Sequence, residues 1–365
     1  MTTSMTTQTI ETQTPEQFAE QLLHSASAML DVVCIYLGDQ LGYYEVLAQD
    51  GPLTSTQLAA RTGTQERYVR EWMEHQAVAG ILDVEEGGAR RRFTLPPYRA
   101  EVLANRDSLN YMAPIAQIAL GVVLPVDKVL QAFRNGGGVC YHEYGATGRE
   151  GQGRMNRAAF LQLLGPVWIP AMADVHERLA TAREARVADF GCGVGWSSIG
   201  VALSYPSVAV DGFDSDQPSI ERAKENAAEY GVSDRVRFHT RDAGDAVLHG
   251  SYDLVLALEC VHDMSDPVAA LRTMRRLMRD GGAVLVVDER VGDQFDPNAG
   301  VTEKLMYGFS ILHCLPAGMA EQPSAGTGTV MRTSTFQKYA EEAGFRDVEV
   351  LPIDNPLFRF YRLRV

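Results

Sequence analysis

The sequence offers little to a membrane, a nucleic acid or a disulfide framework. No run of about 18 apolar residues occurs, so no transmembrane helix is expected. The five cysteines, Cys34, Cys140, Cys192, Cys260 and Cys314, are odd in number and show no CxxC spacing. Scattered thiols of this kind exclude a disulfide scaffold and fit a reducing, cytoplasmic setting. Lysine is absent from residues 1–104, where seven arginines face 14 acidic residues. The whole chain carries a formal charge of −14. Nucleic acids and anionic membranes are therefore poor partners. Met1 to Thr14 is rich in Thr and Gln and has no apolar core, which excludes a signal peptide and reads as a disordered tail.

What is present is globular. Apolar residues make up 45% and charged residues 22% of 365 residues, ordinary usage for a chain of two domains. Over Pro15 to Gly38, apolar residues recur at three- and four-residue spacing and predict a helix. A helix capped by Thr54 or Ser55, a second over 64–80, and two strands around Glu86-Gly87-Gly88 complete the outline of a winged helix over 15–104. Residues 105–184 read as helical, broken by Gly136-Gly137-Gly138 and a flexible Gly-rich stretch over 144–153; Tyr141 and His142 between them form a candidate lid. From 185 to 365, short apolar runs alternate with helical ones, the texture of a doubly wound α/β sheet. Its last two strands share a short turn at Asp354-Asn355-Pro356 and must be antiparallel.

The sharpest motif is "VADFGCGVGWSS" over 187–198, an apolar strand followed by Gly191, Gly193 and Gly195 and then a helix. Small residues there let a ligand approach the backbone. The spacing is GxGxG and an acid, Asp189, precedes it, which suits an ammonium group better than a pyrophosphate. Asp214 ends the second strand, 19 residues past Gly195, where a carboxylate accepts from ribose hydroxyls. Asp242, with Ala243 beside it, ends the third and can accept from an adenine amine. Acids at three successive strand ends describe a site for a cationic adenosyl ligand, as S-adenosyl-L-methionine is.

On these motifs and the antiparallel last strand, residues 185–365 resemble the class I S-adenosylmethionine-dependent methyltransferases. The resemblance implies a Rossmann-like seven-stranded sheet. The segment "HDMSD" over 262–266 is similar to the "HDWSD" segment of plant-type small-molecule O-methyltransferases, and implies that His262 deprotonates an acceptor hydroxyl with Asp263 as its neighbour. A histidine there can serve as a general base near neutral pH. Two departures stand out. Leu258 occupies the place of that family's Lys, and Glu259 follows it as a candidate contact for the donor's ammonium group. The orienting carboxylate is matched only loosely, by Asp288. The plant-type layout also implies a homodimer formed through the winged helix, which closes the partner's acceptor pocket. "TQERYVREWM", "GGGVCY" and "MYGFSILHC" resemble a bacterial, actinomycete-like branch.

The expected reaction is methyl transfer to a small, apolar or aromatic molecule. Met155 is expected to cover the donor, and Asn156, Phe160, Trp168, Met306, Phe309 and His313 to line the acceptor pocket. Three rivals share the sequence. A metal held by His262 and His313 would serve C-methylation of an α-keto acid, the winged helix could belong to a DNA-binding regulator, and a donor-binding relative could have lost transfer. No metal is expected in the leading reading.

Overall fold

The computed structural model describes residues 13–85, 87, 91–245, 247–248 and 250–365. The chain divides into two compact units, 1–105 and 106–365. The first contains α1 (Pro15–Gln40), α2 (Tyr43–Asp50), α3 (Ser55–Thr62), α4 (Glu66–Val78), the antiparallel pair β1 (Asp83–Glu85) and β2 (Arg92–Thr94), and α5 (Pro97–Leu103). Thr14 and Thr54 cap α1 and α3 through capping boxes completed by Gln17 and Gln57. Most of the expected tail, residues 1–12, and Glu86 and Gly88 of the expected hairpin turn lie outside the described residues.

Two features of this unit bear on function. The arginines of the helix-turn-helix are paired in place, Arg61 with Asp50, Arg67 with Glu71 and Arg70 with Glu66, and Arg91 just before β2 pairs with Glu74. That leaves little positive field for phosphates. Meanwhile α1 exposes Phe18, Leu22, Leu23, Met29 and Leu30, each more than half accessible. The expectation of no spanning helix needs correction, because α1 is long and apolar enough to cross a membrane by length and composition. No single apolar run reveals this, since His24, Ser25, Ser27 and Asp31 interrupt the pattern without adding much charge.

The second unit opens with α6 (Pro114–Val123), α7 (Val126–Asn135), α8 (Gly145–Ala159), a π-helical segment at Phe160–Trp168 and α9 (Ala173–Thr181). Its seven-stranded sheet runs in the order β5-β4-β3-β6-β7-β9-β8. The strands are β3 (Arg186–Phe190), β4 (Ala209–Asp214), β5 (Val236–Thr240), β6 (Tyr252–Leu258), β7 (Met278–Glu289), β8 (Asp347–Val350) and β9 (Phe358–Arg364). β3 to β7 pair in parallel, and β9 enters antiparallel between β7 and β8. The connecting helices are α10 (Trp196–Ser204), α11 (Gln217–Glu229), α12 (Pro267–Leu277), α13 (Val301–Phe309), α14 (Leu315–Gly318) and α15 (Thr333–Glu342). Each face of the sheet has its own apolar core, one centred on Trp168, Leu254 and Leu285, the other on Phe190, Phe336 and Tyr361.

The Gly-rich stretch over 144–153 is a helix, correcting the expectation of a flexible lid hinge. Gly148, Gly151 and Gly153 within it lie where other parts of the chain press close. A Cβ on Gly121 of α6 would stand 2.5 Å from Gly148 Cα, so the two helix backbones meet where no side chain fits.

Candidate active site

The carboxyl ends of β3, β4, β6 and β7 meet along one edge, the place where open α/β sheets bind ligands. Gly191, Gly193 and Gly195 all have positive φ, which explains why no other residue type suits this turn. A Cβ on Gly191 would come within 2.7 Å of Cys260, and one on Gly195 within 2.7 Å of Phe238. At Gly193 a Cβ would meet nothing within 4 Å, so this face of the turn is open to a ligand.

Asp189 is buried, and its Oδ2 accepts from the Ser197 and Ser198 hydroxyls, both at 2.6 Å. Burial pushes its carboxyl up to about 6, against the pull of those hydroxyls. Asp189 therefore ties the strand to the first turn of α10. Asp214 accepts from Gly193 N–H at 2.8 Å and Asp216 N–H at 2.9 Å, and burial raises its pKa. Its carboxylate is thus aimed at the open glycine. Asp242 is exposed and accepts from Gly244 N–H at 2.7 Å, with Ala243 half-buried beside it.

Helix α8 touches three strand ends in turn. Arg149 donates to Asp216 beyond β4, at 2.6 Å from Nε. A Cβ on Gly153 would collide with Val194 in the glycine turn. Gln152 donates to Glu259 beyond β6 at 3.1 Å. Met155 and Asn156 follow on the same helix, both half-buried. Arg149 and Gln152 were not anticipated, because a Gly-rich stretch carries no helical signal.

His262 lies in a short 3-10 turn, Val261–Asp263, just past β6, and is buried. Its Nδ1 donates to Asp288 Oδ1, and Glu289 Oε2 lies 2.9 Å from the same nitrogen. Asp288, not Asp263, is the carboxylate that orients the ring. Asp263 stands on the other side: one of its oxygens, a His262 ring nitrogen and Cys314 Sγ lie within 4.8 Å of one another. Burial pushes Asp263 up to about 6. Burial also opposes a charged His262, but Asp288 and Glu289 outweigh it and raise the imidazole pKa well above its usual value. In the same cluster His262 holds Asp288 low, whereas burial drives Glu289 well up. Glu289 escaped notice because strand alternation sends neighbours to opposite faces; at the end of β7 both turn towards His262.

The acceptor candidates separate. Trp168 and Phe160 are core residues, a correction: Trp168 is 1% exposed and packs edge-on against Phe160 and Phe360. The π-helical winding of this segment places them there. Met306 is buried and Phe309 half-buried on α13. Among the described residues, His313 is in neither group of candidate metal ligands around His262; those groups pair His262 with Asp263 and Cys314, or with Asp288 and Glu289. The His313 ring packs edge-on against Tyr141 and Tyr144, with Nδ1 3.4 Å from Cys314 Sγ, and burial pushes its pKa down to about 4.

Residues 182–344 match the family model described as "Methyltransferase domain". That stretch is a methyltransferase domain. Ahead of it, residues 28–105 match the model of the Rv2258c-like winged HTH domain. The 27-O-demethylrifamycin SV methyltransferase of Amycolatopsis mediterranei is 36% identical over 104 residues, 28% of this chain and 38% of that protein. A ubiquinone biosynthesis O-methyltransferase of Pseudomonas aeruginosa is 26% identical over 190 residues, 52% of this chain and 76% of that protein. The chain thus spans well under half of the first of these relatives. Among solved structures, mitomycin 7-O-methyltransferase MmcR superposes with a TM-score of 0.69 at 22% identity, covering 96% of this chain and 97% of that one. Human N-acetylserotonin methyltransferase in complex with SAM gives 0.66 at 17% identity, covering 98% and 99%. At those identities the likeness is one of fold, and it extends beyond the methyltransferase domain to nearly the whole chain.

Proposed function

We propose that this chain transfers a methyl group from S-adenosylmethionine to a hydroxyl of a small molecule, with His262 as the general base. The observation that carries the reading is the His262–Asp288 pair on the same strand edge as the open glycine turn. The turn at Gly191, Gly193 and Gly195 fits the donor's methionine end, and Asp214 the ribose. Asp242 with Ala243 fits the adenine, and Met155 the covering position. When bound, the donor supplies an electrophilic methyl group on a sulfonium. The chain's part is to align the acceptor oxygen and to take its proton at His262, whose ring Asp288 holds in one orientation. Met306 and Phe309 fit an apolar acceptor wall.

Purified protein should bind S-adenosylhomocysteine and methylate members of a panel of hydroxylated aromatics, read by mass spectrometry. Binding without any transfer would leave a donor-binding protein and sink the general-base reading. The apolar face of α1 fits a second copy of this chain, and light scattering should give a dimer; Leu22→Glu with Leu30→Glu should give a monomer.

A further inference from the structure

The strand order puts the base between two halves of the edge. The glycine turn and Asp214 close β3 and β4, His262 follows β6, and β7 and β9 lie beyond it. Where β7 ends and β9 begins, a cavity of about 320 Å³ opens, lined among others by Arg290, Gly292, Thr302, Glu303 and Arg359. Two features tie it to the acceptor rather than to the donor. In the antiparallel register Arg359 stands directly opposite Asp288, the acid that orients His262, and opposed residues present their side chains on one face. Helix α13 lines the cavity with Thr302 and Glu303 and carries Met306 and Phe309 within the next two turns. The donor turn lies on the far side of β6.

The charge of this cavity runs against that of the chain. The protein carries −14, yet two guanidiniums face the cavity with little to answer them. The Arg359 side chain is 17% exposed and is held by neutral oxygens, Val291 C=O at 3.1 Å and the Thr333 hydroxyl. Among the described residues its ion-pair partner is Asp293, 3.8 Å away and itself 79% exposed. Arg290 donates to Asn355 C=O at 2.8 Å, and Asp354, 3.6 Å from it, stands fully in solvent. Glu303, the carboxylate on the cavity wall, is already taken: it accepts from Gly292 N–H at 2.9 Å and pairs with Arg332 at 2.7 Å. A guanidinium drawn out of water and held by neutral oxygens keeps its charge for a ligand, and a carboxylate matches its fork of N–H donors.

We propose that Arg290 and Arg359 bind a carboxylate carried by the methyl acceptor. The acceptor class is then a hydroxy acid, whose hydroxyl reaches His262 while its acid group lies at the two arginines. A cavity at the small end of ligand sites holds the acid-bearing arm, with the apolar body against α13. This rests on the methyl-transfer reading for the hydroxyl's fate, though not for the binding of the acid.

The test is calorimetry on the full chain loaded with S-adenosylhomocysteine. The probes are 4-hydroxybenzoate, 4-hydroxyphenylacetate and 3-(4-hydroxyphenyl)propionate, each set against its primary amide, so that the acid stands progressively further from the hydroxyl. At least one acid should bind about tenfold or more tightly than its amide. Arg359→Gln and Arg290→Gln should each remove most of that preference and leave the Kd for S-adenosylhomocysteine unchanged. Arg290 is about half exposed, so its variant reads the site even where Arg359→Gln fails to fold. No preference in any pair, or a preference that survives the substitutions, overturns the proposal. Methyl transfer to the same probes is measured alongside. An acid preference in binding without transfer to any probe sinks the methyl-transfer reading and leaves the acid site standing. Transfer to amides and acids with equal kcat/KM overturns the acid site and leaves the methyl-transfer reading standing.

Discussion

Along one strand edge, acids of the same type do opposite work. At β3 and β4, Asp189 and Asp214 are satisfied by hydroxyls and backbone N–H groups. At β6 and β7, Asp288 and Glu289 surround a histidine, and Asp288 Oδ2 and Glu259 Oε1 remain without partners. The first group has its carboxylates tied by hydrogen bonds within the chain. The second is charged and incompletely paired, the setting in which perturbed titrations cluster at functional sites.

Substitutions on the two sides should separate binding from chemistry. The largest effect is expected at His262→Ala, which should lower transfer ~10²–10⁴-fold while S-adenosylhomocysteine binds as before. Calorimetry beside single-turnover rates checks this; loss of nucleoside binding would merge the two sides. Asp288→Asn should also lower transfer and reshape its pH dependence. His262 accepts a proton only when neutral, and its pKa is raised well above 6.5 by the neighbouring acids. The rate should therefore climb with pH to a plateau on the alkaline side. Removing the Asp288 charge should shift that climb to lower pH and lower the plateau; an unmoved profile would show that Asp288 does not act on the ring. On the donor side, Asp214→Ala should weaken donor binding by about 1–3 kcal/mol, a lost buried pair of hydrogen bonds, with little change in saturated rate. Beneath both, Gly121→Ala should cost about 1–3 kcal/mol by forcing α6 from α8, read as a Tm lowered by several degrees. The smallest effect, about 1 kcal/mol, is expected for Thr54→Ala at the cap of α3, measured by chemical denaturation.

Local patterns carried much of the fold. The strand β3, the glycine turn and the acids ending β4 and β5 are contiguous in the chain, so spacing alone exposes them. The antiparallel β9 follows from a loop too short for a crossover. The Gly-rich 144–153 segment misled, because glycine reads as flexibility unless a second backbone is known to press against it. Phe160 and Trp168 misled similarly, since aromatic spacing does not distinguish a pocket wall from a core.

The sequence by itself determined the sheet, the donor turn and the choice of His262, because each is written in neighbouring residues whose chemistry is local. Tertiary structure alone decided which acid holds His262, that Glu289 joins Asp288, and that α8 presses Gln152 onto Glu259. These partners stand 26, 27 and 107 positions apart, with no sequence period to link them. Only the packing of strand ends and helix brings their charges within a few ångströms, where burial makes the interaction strong.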